Sequence, residues 1–319
     1  MPLTIAVQMD PLESINIAGD STFAIMLAAQ ARGHRLFTYA PGDLTYRHGR
    51  VVAHAREATV QRVVGDHYRH GPWQVIDLAD EADVVLMRQD PPFDLAYIAA
   101  THLLERVQHQ TLVVNDPVAV RNAPEKLFVL DYARFMPPTL ITRRLDEARA
   151  FHAEHNEVVV KPLNGAAGSA VFHIGKGDPN LAALTELFGQ VWREPFIVQA
   201  FLPDVTKGDK RIVLIDGKPA GAVNRLPQGG EIRSNLAAGG KAAATDLTPR
   251  EQEICAAIGP ELAKRGLLFV GIDVIAGHLT EINVTSPTGI VSIDAFNGTD
   301  TPALICDVIE ARIAARATN

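Results

Sequence analysis

The run LLFVGIDVIAGHLTEINVTSP, from Leu267 to Pro287, constrains this chain more than any other stretch. Two apolar arms flank a break at Ala276, Gly277 and His278, the pattern of a β-hairpin. A three-residue loop centred on Gly277 sets Ile275 opposite Leu279 and Asp273 opposite Glu281. Asn283 follows Glu281 on the same face, because strand side chains alternate with period two. Ile272, Val274, Ile282 and Val284 share the other face and mark the core side. Like charges directly opposite each other weaken a ladder. Three oxygen-bearing side chains beside an apolar face therefore call for a counter-charge. A hard divalent cation such as Mg²⁺, which takes one or two carboxylates plus phosphates and water, meets that need. Two other readings stay open. The polar face of the hairpin could simply be solvated, and a two-residue loop would set Asp273 and Glu281 on a diagonal.

At 319 residues the chain has room for two or three domains. Its 47% hydrophobic and 21% charged residues are ordinary for a soluble globular protein. A net charge of −7 argues against a nucleic-acid binder, whose footprint is basic. An anionic ligand would need a local cluster of Lys and Arg. Cys255 and Cys306 lie in helical patterns and form no metal or redox motif, so a cytoplasmic location in a reducing compartment is the simplest fit. Met1 leads directly into the strand LTIAVQM, and no apolar run approaches a membrane span; neither a signal peptide nor a membrane partner is expected.

In chain order, the strand at residues 3–9 is followed by a loop, a helix capped by Asp20 or Ser21 that ends at Gly33, and the strand RLFTYA. Residues 42–71 are polar and His-rich and read as loop. His67 and His70 within them read as solvated, since no further ligands converge in sequence. DVVLMRQDPPF, a helix through Leu104 and TLVVND complete an alternating α/β unit with a mostly parallel sheet. In such sheets ligands lie beyond the carboxyl ends of the strands, which makes Asp10, Ser14, Asn16, Arg88 and Asp90 candidates. A helix starting at Pro124 and stopped by Pro137-Pro138 suggests a hinge.

EVVVKPLNGAAGSAVFHIG reads as strand, Lys161, a turn rich in glycine and alanine, and strand. Such turns let backbone N–H groups cradle a phosphate, though many ordinary hairpins share them. Later, Asp216-Gly217 marks a tight hairpin. PQGGEIRSNLAAGGKAAATD is too polar for core and too long for a turn, so it reads as a mobile lid or a plain loop. A helix at 249–265 precedes the acidic hairpin and another near 301–314 closes the chain. No phosphate-loop, dinucleotide, zinc-helix or serine-elbow motif is present.

Lysines ahead of a glycine loop, a linking strand, an Arg-bearing lid and Asp…Glu-x-Asn on a late hairpin together resemble the ATP-grasp ligases. NAPEKLF, VVVKPLNGAAGSAVF, GDKRIVLIDGKPAGAVNRLPQGGEIRSNLAAGGKA and GLLFVGIDVIAGHLTEINVTSPTGI are similar to bacterial glutathione synthetases. So are MDPLESINI and MRQDPPFD, and the likeness runs from about residue 5 to residue 314.

The resemblance implies a three-domain α/β ATP-grasp fold. Residues 1–122 would form an N-terminal parallel-sheet substrate domain, 123–200 the central lid domain, and 201–319 the C-terminal domain with a large lid at 226–241. It implies ATP-driven ligation of γ-glutamylcysteine with glycine through an acyl phosphate, and a homotetramer. Asp273, Glu281 and Asn283 would hold Mg²⁺ (Mn²⁺ as an alternative), with Lys126 and Lys161 along the phosphates. The backbone of Gly165, Ala166, Ala167 and Gly168 would cover those phosphates. Gln199, Phe201, Leu202 and Asp209 would meet the nucleotide. Arg211, Arg225 and Arg233 would face the reacting groups, and Asn235, Gly239 and Gly240 of the lid would join Asp10, Ser14, Asn16 and Arg88 around the substrates.

Two departures from the family pattern stand out. The glycine loop reads NGAAGSAVF, with alanines where the family usually has Met-Gly-Gly, which implies negative φ there and a stiffer small lid. Gln89 replaces a lysine commonly found after the arginine of MRKDPPFD, removing a positive charge near the dipeptide end. The rival readings are an ATP-grasp ligase for another acid and amine, and a nucleotide-binding regulator without turnover.

Overall fold

Short apolar strands with a capped helix between them set up the first sheet. In the computed structural model, which describes residues 2–165, 168–229, 232–235 and 239–317, β1 (Thr4–Gln8) lies parallel to β2 (Arg35–Tyr39). The intervening helix Ser21–Ala31 is capped by Asp20, whose carboxylate accepts the Phe23 N–H at 2.6 Å. β3 (Leu44–Arg47), β4 (Arg50–Val60) and β5 (Tyr68–Asp77) follow, then β6 (Val84–Met87) and β7 (Leu112–Val114). β2, β1, β6 and β7 form a parallel core, with β4 added antiparallel to β2 and flanked by β3 and β5.

The region 42–71 is thus largely strand, which corrects the expectation of a loop. Its inward positions on β4 are Val51, Ala53, Ala55, Ala58 and Val60, so three of the five are alanine and the apolar alternation is faint in sequence. His67 and His70 do not converge. His67 Nε2 meets the Leu12 carbonyl at 2.7 Å and His70 Nε2 the Thr38 hydroxyl at 3.0 Å.

The second sheet is antiparallel, in the order β10-β9-β11-β8, from β8 (Thr139–Thr142), β9 (Val158–Pro162), β10 (Phe172–Ile174) and β11 (Phe196–Ala200). Its helices, Leu145–His155 and Asn180–Val191, bury Ala148, Leu184 and Phe188 against Val158, Val160 and Val198. The helix expected from Pro124 begins only at Phe128 and is a 3-10 helix to Phe135, broken at Tyr132. The Pro124 carbonyl takes the N–H groups of both Leu127 and Phe128, which makes a turn of the first residues.

The third sheet joins β12 (Asp209–Ile215), β13 (Lys218–Leu226), β14 (Lys241–Ala243), β15 (Phe269–Ile275) and β16 (His278–Asn283) in the order β14-β13-β12-β15-β16. The β12–β13 turn packs so tightly on the helix Pro249–Lys264 that a Cβ on Gly217 would fall 2.3 Å from the Gly259 carbonyl oxygen. β15 and β16 meet through a two-residue turn. Ile275 pairs with His278, and Ala276 and Gly277 take φ of 49° and 75°, both in the left-handed region that such a turn demands. The expected three-residue loop is therefore wrong, yet Asp273 still stands opposite Glu281. The register shifts between Asp273 and Val274, and Thr280 is the extra residue of a β-bulge, its hydroxyl donating to the Asp273 carbonyl at 3.1 Å.

Two hydrophobic cores each run from the first sheet into the third. One joins Phe37 and Val85 to Ile212 and Ile272; the other joins Val7 and Phe23 to Val213 and Ile290. The second sheet keeps a core of its own. Cys255 and Cys306 are both buried and unpaired, and burial pushes each thiol up to about 11. Among the described residues no helix is long and apolar enough to cross a membrane.

Asn115, at the end of β7, ties the acidic hairpin to the first sheet. Its amide donates to the carbonyls of Phe269 (2.8 Å) and Val284 (2.7 Å) and accepts the Phe269 N–H at 2.8 Å. Asn115→Leu strands three buried backbone groups, each worth about 1–3 kcal/mol. We expect it to lower folding stability by roughly 3 kcal/mol or more, read as a lower urea midpoint; a loss under about 1 kcal/mol would mean that the hairpin is held by packing alone.

Candidate active site

Asp273 lies in the middle of β15, with Arg211 of β12 beside it on one side and Glu281 of β16 on the other. The Arg211 guanidinium grips it as a fork, Nε to Oδ1 at 2.5 Å and Nη2 to Oδ2 at 2.9 Å. Arg225 Nη2 approaches Oδ1 at 3.1 Å and also donates to Asp209 Oδ2 at 2.5 Å. Burial alone would raise the Asp273 carboxyl. The two guanidinium groups outweigh it and hold the group well below the usual carboxylate range. Asp209 shifts the other way: burial and the nearby Asp273 charge raise it against the pull of Arg225.

Glu281 is neutralised differently. Lys126 and Lys161 Nζ each lie 3.6 Å from its Oε1. Burial pushes its carboxyl up, and the two ammonium groups pull it below the ordinary value. Lys126 also donates to the Gly165 carbonyl at 2.6 Å and to Glu125. Glu125 is raised by burial and by the charge of Glu281, more than Lys126 lowers it. Its role was not legible in the sequence. Nothing in NAPEKLF distinguishes it from a surface glutamate; the signal is the Ile282 N–H bonded to its carbonyl at 3.1 Å, which brings it beside the hairpin.

Two cavities meet here. The first, of about 880 Å³, lies between the second and third sheets and is lined by Lys126, Lys161, Gly165, Gly168, Gln199, Phe201, Leu202, Asp209, Arg233 and Asp273. The second, of about 1050 Å³, is lined by Asp90, Glu125, Arg211, Arg225, Asn283 and the loop Thr285–Gly289. Glu281 and Asn235 border both. The loop at 285–289 and Ser234 carried no distinctive sequence signal. Ser234 donates to Asp209 Oδ2 at 2.9 Å, from within the lid segment.

The remaining candidates divide. Gln199 donates to Thr139 at 2.8 Å, and Phe201 stacks on His173 with its N–H on the Glu157 carbonyl. Arg233 lines the first cavity and not the second, apart from Arg211 and Arg225. Gly168 has φ of 76°, and a Cβ there would sit 2.6 Å from Asn235 Oδ1, so the small loop and the large lid touch. Gly240 backs Ser234 and Asn235, and neither it nor Gly239 lines a cavity. Ala166 and Ala167, with the expectation placed on their φ, lie outside the described residues.

Asp10, Ser14 and Asn16 structure the loop after β1: they accept from Asp90 N–H, donate to the Pro11 carbonyl and accept from Ala18 N–H, respectively. None lines either cavity. Arg88 is buried behind the second cavity, with Nε on Thr22 (3.0 Å) and Nη2 on the Pro287 carbonyl (2.8 Å), where it braces the wall. Gln89 is buried too and accepts from Gln8 at 2.7 Å, so its side chain lies inside the first sheet and not in the cavity.

Asp273, Glu281 and Asn283 suit a hard cation. Their donors are all oxygens, and Glu281 is held only at ion-pair distance. The Asn283 amide nitrogen turns toward Asp273 (3.4 Å), which directs its oxygen away from that carboxylate. Among the described residues no group of three or more His, Cys, Asp or Glu that could hold a metal ion is present, so any cation here would rest on two carboxylates and the Asn283 amide oxygen.

The model for the N-terminal domain of prokaryotic glutathione synthetase matches residues 3–121, and that for the family's ATP-grasp domain matches residues 125–298. A glutathione synthetase of Rhodopseudomonas palustris is 57% identical over 98% of this chain and 99% of its own length. One from Shewanella oneidensis is 44% identical over 98% and 99%. Among solved structures, the D-cycloserine synthetase DcsG superposes with a TM-score of 0.69 at 17% identity, covering 97% of this chain and 99% of that one. The ATP-grasp ligase PsnB gives 0.62 at 17% identity, covering 98% of each chain. At such identities these two speak for the fold alone. Nearly the whole length of the chain matches, and it belongs to the prokaryotic glutathione synthetase family.

Proposed function

We propose that the chain joins γ-glutamylcysteine to glycine at the expense of ATP, giving glutathione, ADP and phosphate. The observation that carries this reading is the meeting of two cavities at Glu281, with lysines on one side and arginines on the other. ATP would occupy the first cavity, its phosphates along Lys126 and Lys161. The dipeptide would lie in the second, its cysteinyl carboxylate near Arg211 and Arg225. That carboxylate attacks the γ-phosphorus, and ADP leaves. The glycine nitrogen, having given up its ammonium proton to water, then attacks the acyl carbon; the C–N bond forms, inorganic phosphate departs with the C–O bond electrons, and the second amine proton is lost to water or to the departing phosphate.

Phosphoryl transfer of this kind depends on positioning and on neutralising charge. Mg²⁺ or Mn²⁺, held by Asp273, Glu281 and Asn283, would supply a Lewis acid for the phosphate oxygens. The arginines remain charged at any working pH and bring two anions within reacting distance. The lid at 226–241 would exclude water, so that the acyl phosphate meets the amine before it hydrolyses. A homotetramer in the cytoplasm belongs to this reading on the strength of the family resemblance.

ADP release should rise when γ-glutamylcysteine and glycine are both present and should not respond to D-alanine. A different acid and amine pair that stimulates release more would name another ligase, and no turnover with any pair would leave only a nucleotide binder. Arg225→Ala should raise the barrier by about 2.7–4 kcal/mol, the usual cost of one lost donor at a developing oxyanion. That is roughly 10²–10³ in kcat, and near-normal turnover would remove Arg225 from the mechanism. Replacing residues 227–240 with a short linker should leave part of the ATP cleavage but yield less than one tripeptide per ADP. Equal amounts of the two products would refute the water-exclusion role.

A further inference from the structure

Resting on the ligase reading, a second question is where the incoming amine binds. Before attack, glycine carries an ammonium group, and a water-poor cavity holds such a group only beside an anion or several acceptors. Among the described residues, three carboxylates border the second cavity: Asp90, Glu125 and Glu281. Glu281 faces the two lysines and belongs to the cation clamp. Asp90 is tied to the outer loop, its Oδ1 accepting from Ser286 at 2.8 Å and its N–H donating to Asp10. Glu125 is different. Its carbonyl is fixed to Ile282, the residue between Glu281 and Asn283, so it borders the point where the acyl phosphate would form.

One Glu125 oxygen already holds Lys126, but an ionised carboxylate offers about four lone-pair sites. Its side chain retains 23% exposure, enough to be reached from the cavity, while that of Lys126 retains 5%. Glu125 also borders a small, mostly apolar niche lined by Pro91, Phe93, Pro124, Leu163 and Val284 together with Asn164 and Thr285. We infer that Glu125 receives the amino group of the acceptor amino acid and orients it toward the acyl carbon.

The test separates this role from simple support of Lys126. Acyl phosphate formed from ATP and γ-glutamylcysteine is trapped by hydroxylamine, a nucleophile that needs no ammonium-binding carboxylate. In Glu125→Gln, which also alters a partner of Lys126, hydroxamate formation should fall far less than tripeptide formation does. Ligation to glycine should fall at least tenfold, mostly through a higher KM for glycine, and Glu125→Asp should recover part of it. If hydroxamate and tripeptide fall together, Glu125 acts through Lys126 and the inference is wrong. If Glu125→Gln ligates glycine normally, or Asp90→Asn gives the selective loss in its place, the amine binds elsewhere. A wild-type protein that makes neither product would instead overturn the ligase reading.

Discussion

Asp273 and Glu281 stand directly opposite each other on neighbouring strands, and the rest of the site exists because they cannot stand there alone. Two unit charges about 4 Å apart interact by about 4 kcal/mol at an effective dielectric of 20. Neighbours of opposite charge must therefore be built in. The two acids are served in contrasting ways. Asp273 is gripped by planar guanidinium groups at 2.5–3.1 Å, a fixed geometry that keeps it ionised. Glu281 is served by two compact ammonium groups at 3.6 Å, each on a flexible stem. A cation that displaces the lysines from Glu281 costs the protein little geometry, and the freed lysines face the cavity where phosphate oxygens would lie. Asp273 anchors the cluster, and Glu281 is the member that can exchange partners.

The cores tie the two walls of the first cavity to different bodies of packing. The first and third sheets share two continuous apolar cores and are pinned by Asn115, so they form one body. The second sheet, which supplies Lys161 and Gln199, packs on a core confined to its own helices. Interfaces between units with separate cores resist rotation less than a shared core does. The first cavity thus has one wall, bearing the acids, that shares its cores with the first sheet, and one wall whose core is its own. Lys126 lies at the join: it belongs to the segment between the sheets and reaches both Gly165 and Glu281.

Much of this was legible in the chain, and the failures are physical. The hairpin announced its core face and its acidic face through plain period-two alternation. Its turn was misjudged because a β-bulge at Thr280 absorbs one residue, and sequence does not distinguish a longer loop from a shorter loop with a bulge. The strands at 44–77 were missed because alanine fills the inward positions and Gly71 and Pro72 interrupt β5. Arg211 was placed near the chemistry by resemblance. Its grip on Asp273 depends on the β12–β15 pairing, across 62 residues of sequence, which no local pattern encodes. Arg88 sits at the end of its strand as the sheet rule suggests, yet it is turned into the protein to hold the Pro287 carbonyl.

A chain of alternating charges links the lid to this cluster. Ser234 donates to Asp209, Asp209 accepts from Arg225, Arg225 reaches Asp273, and Arg211 closes the far side. Asp209 is buried, and its Oδ1 has no partner among the described residues, so the Ser234 hydroxyl is one of few donors that compensate its desolvation. An unpaired buried acceptor costs about 1–3 kcal/mol. Without the Ser234 hydroxyl, the Asp209 carboxylate would keep, among the described residues, only its bond to Arg225 in this buried setting. Close contact between Gly168 and Asn235 ties the small loop to the same position. The placement of Ser234, Asn235 and Gly168 and that of Arg225 therefore draw on the same few atoms.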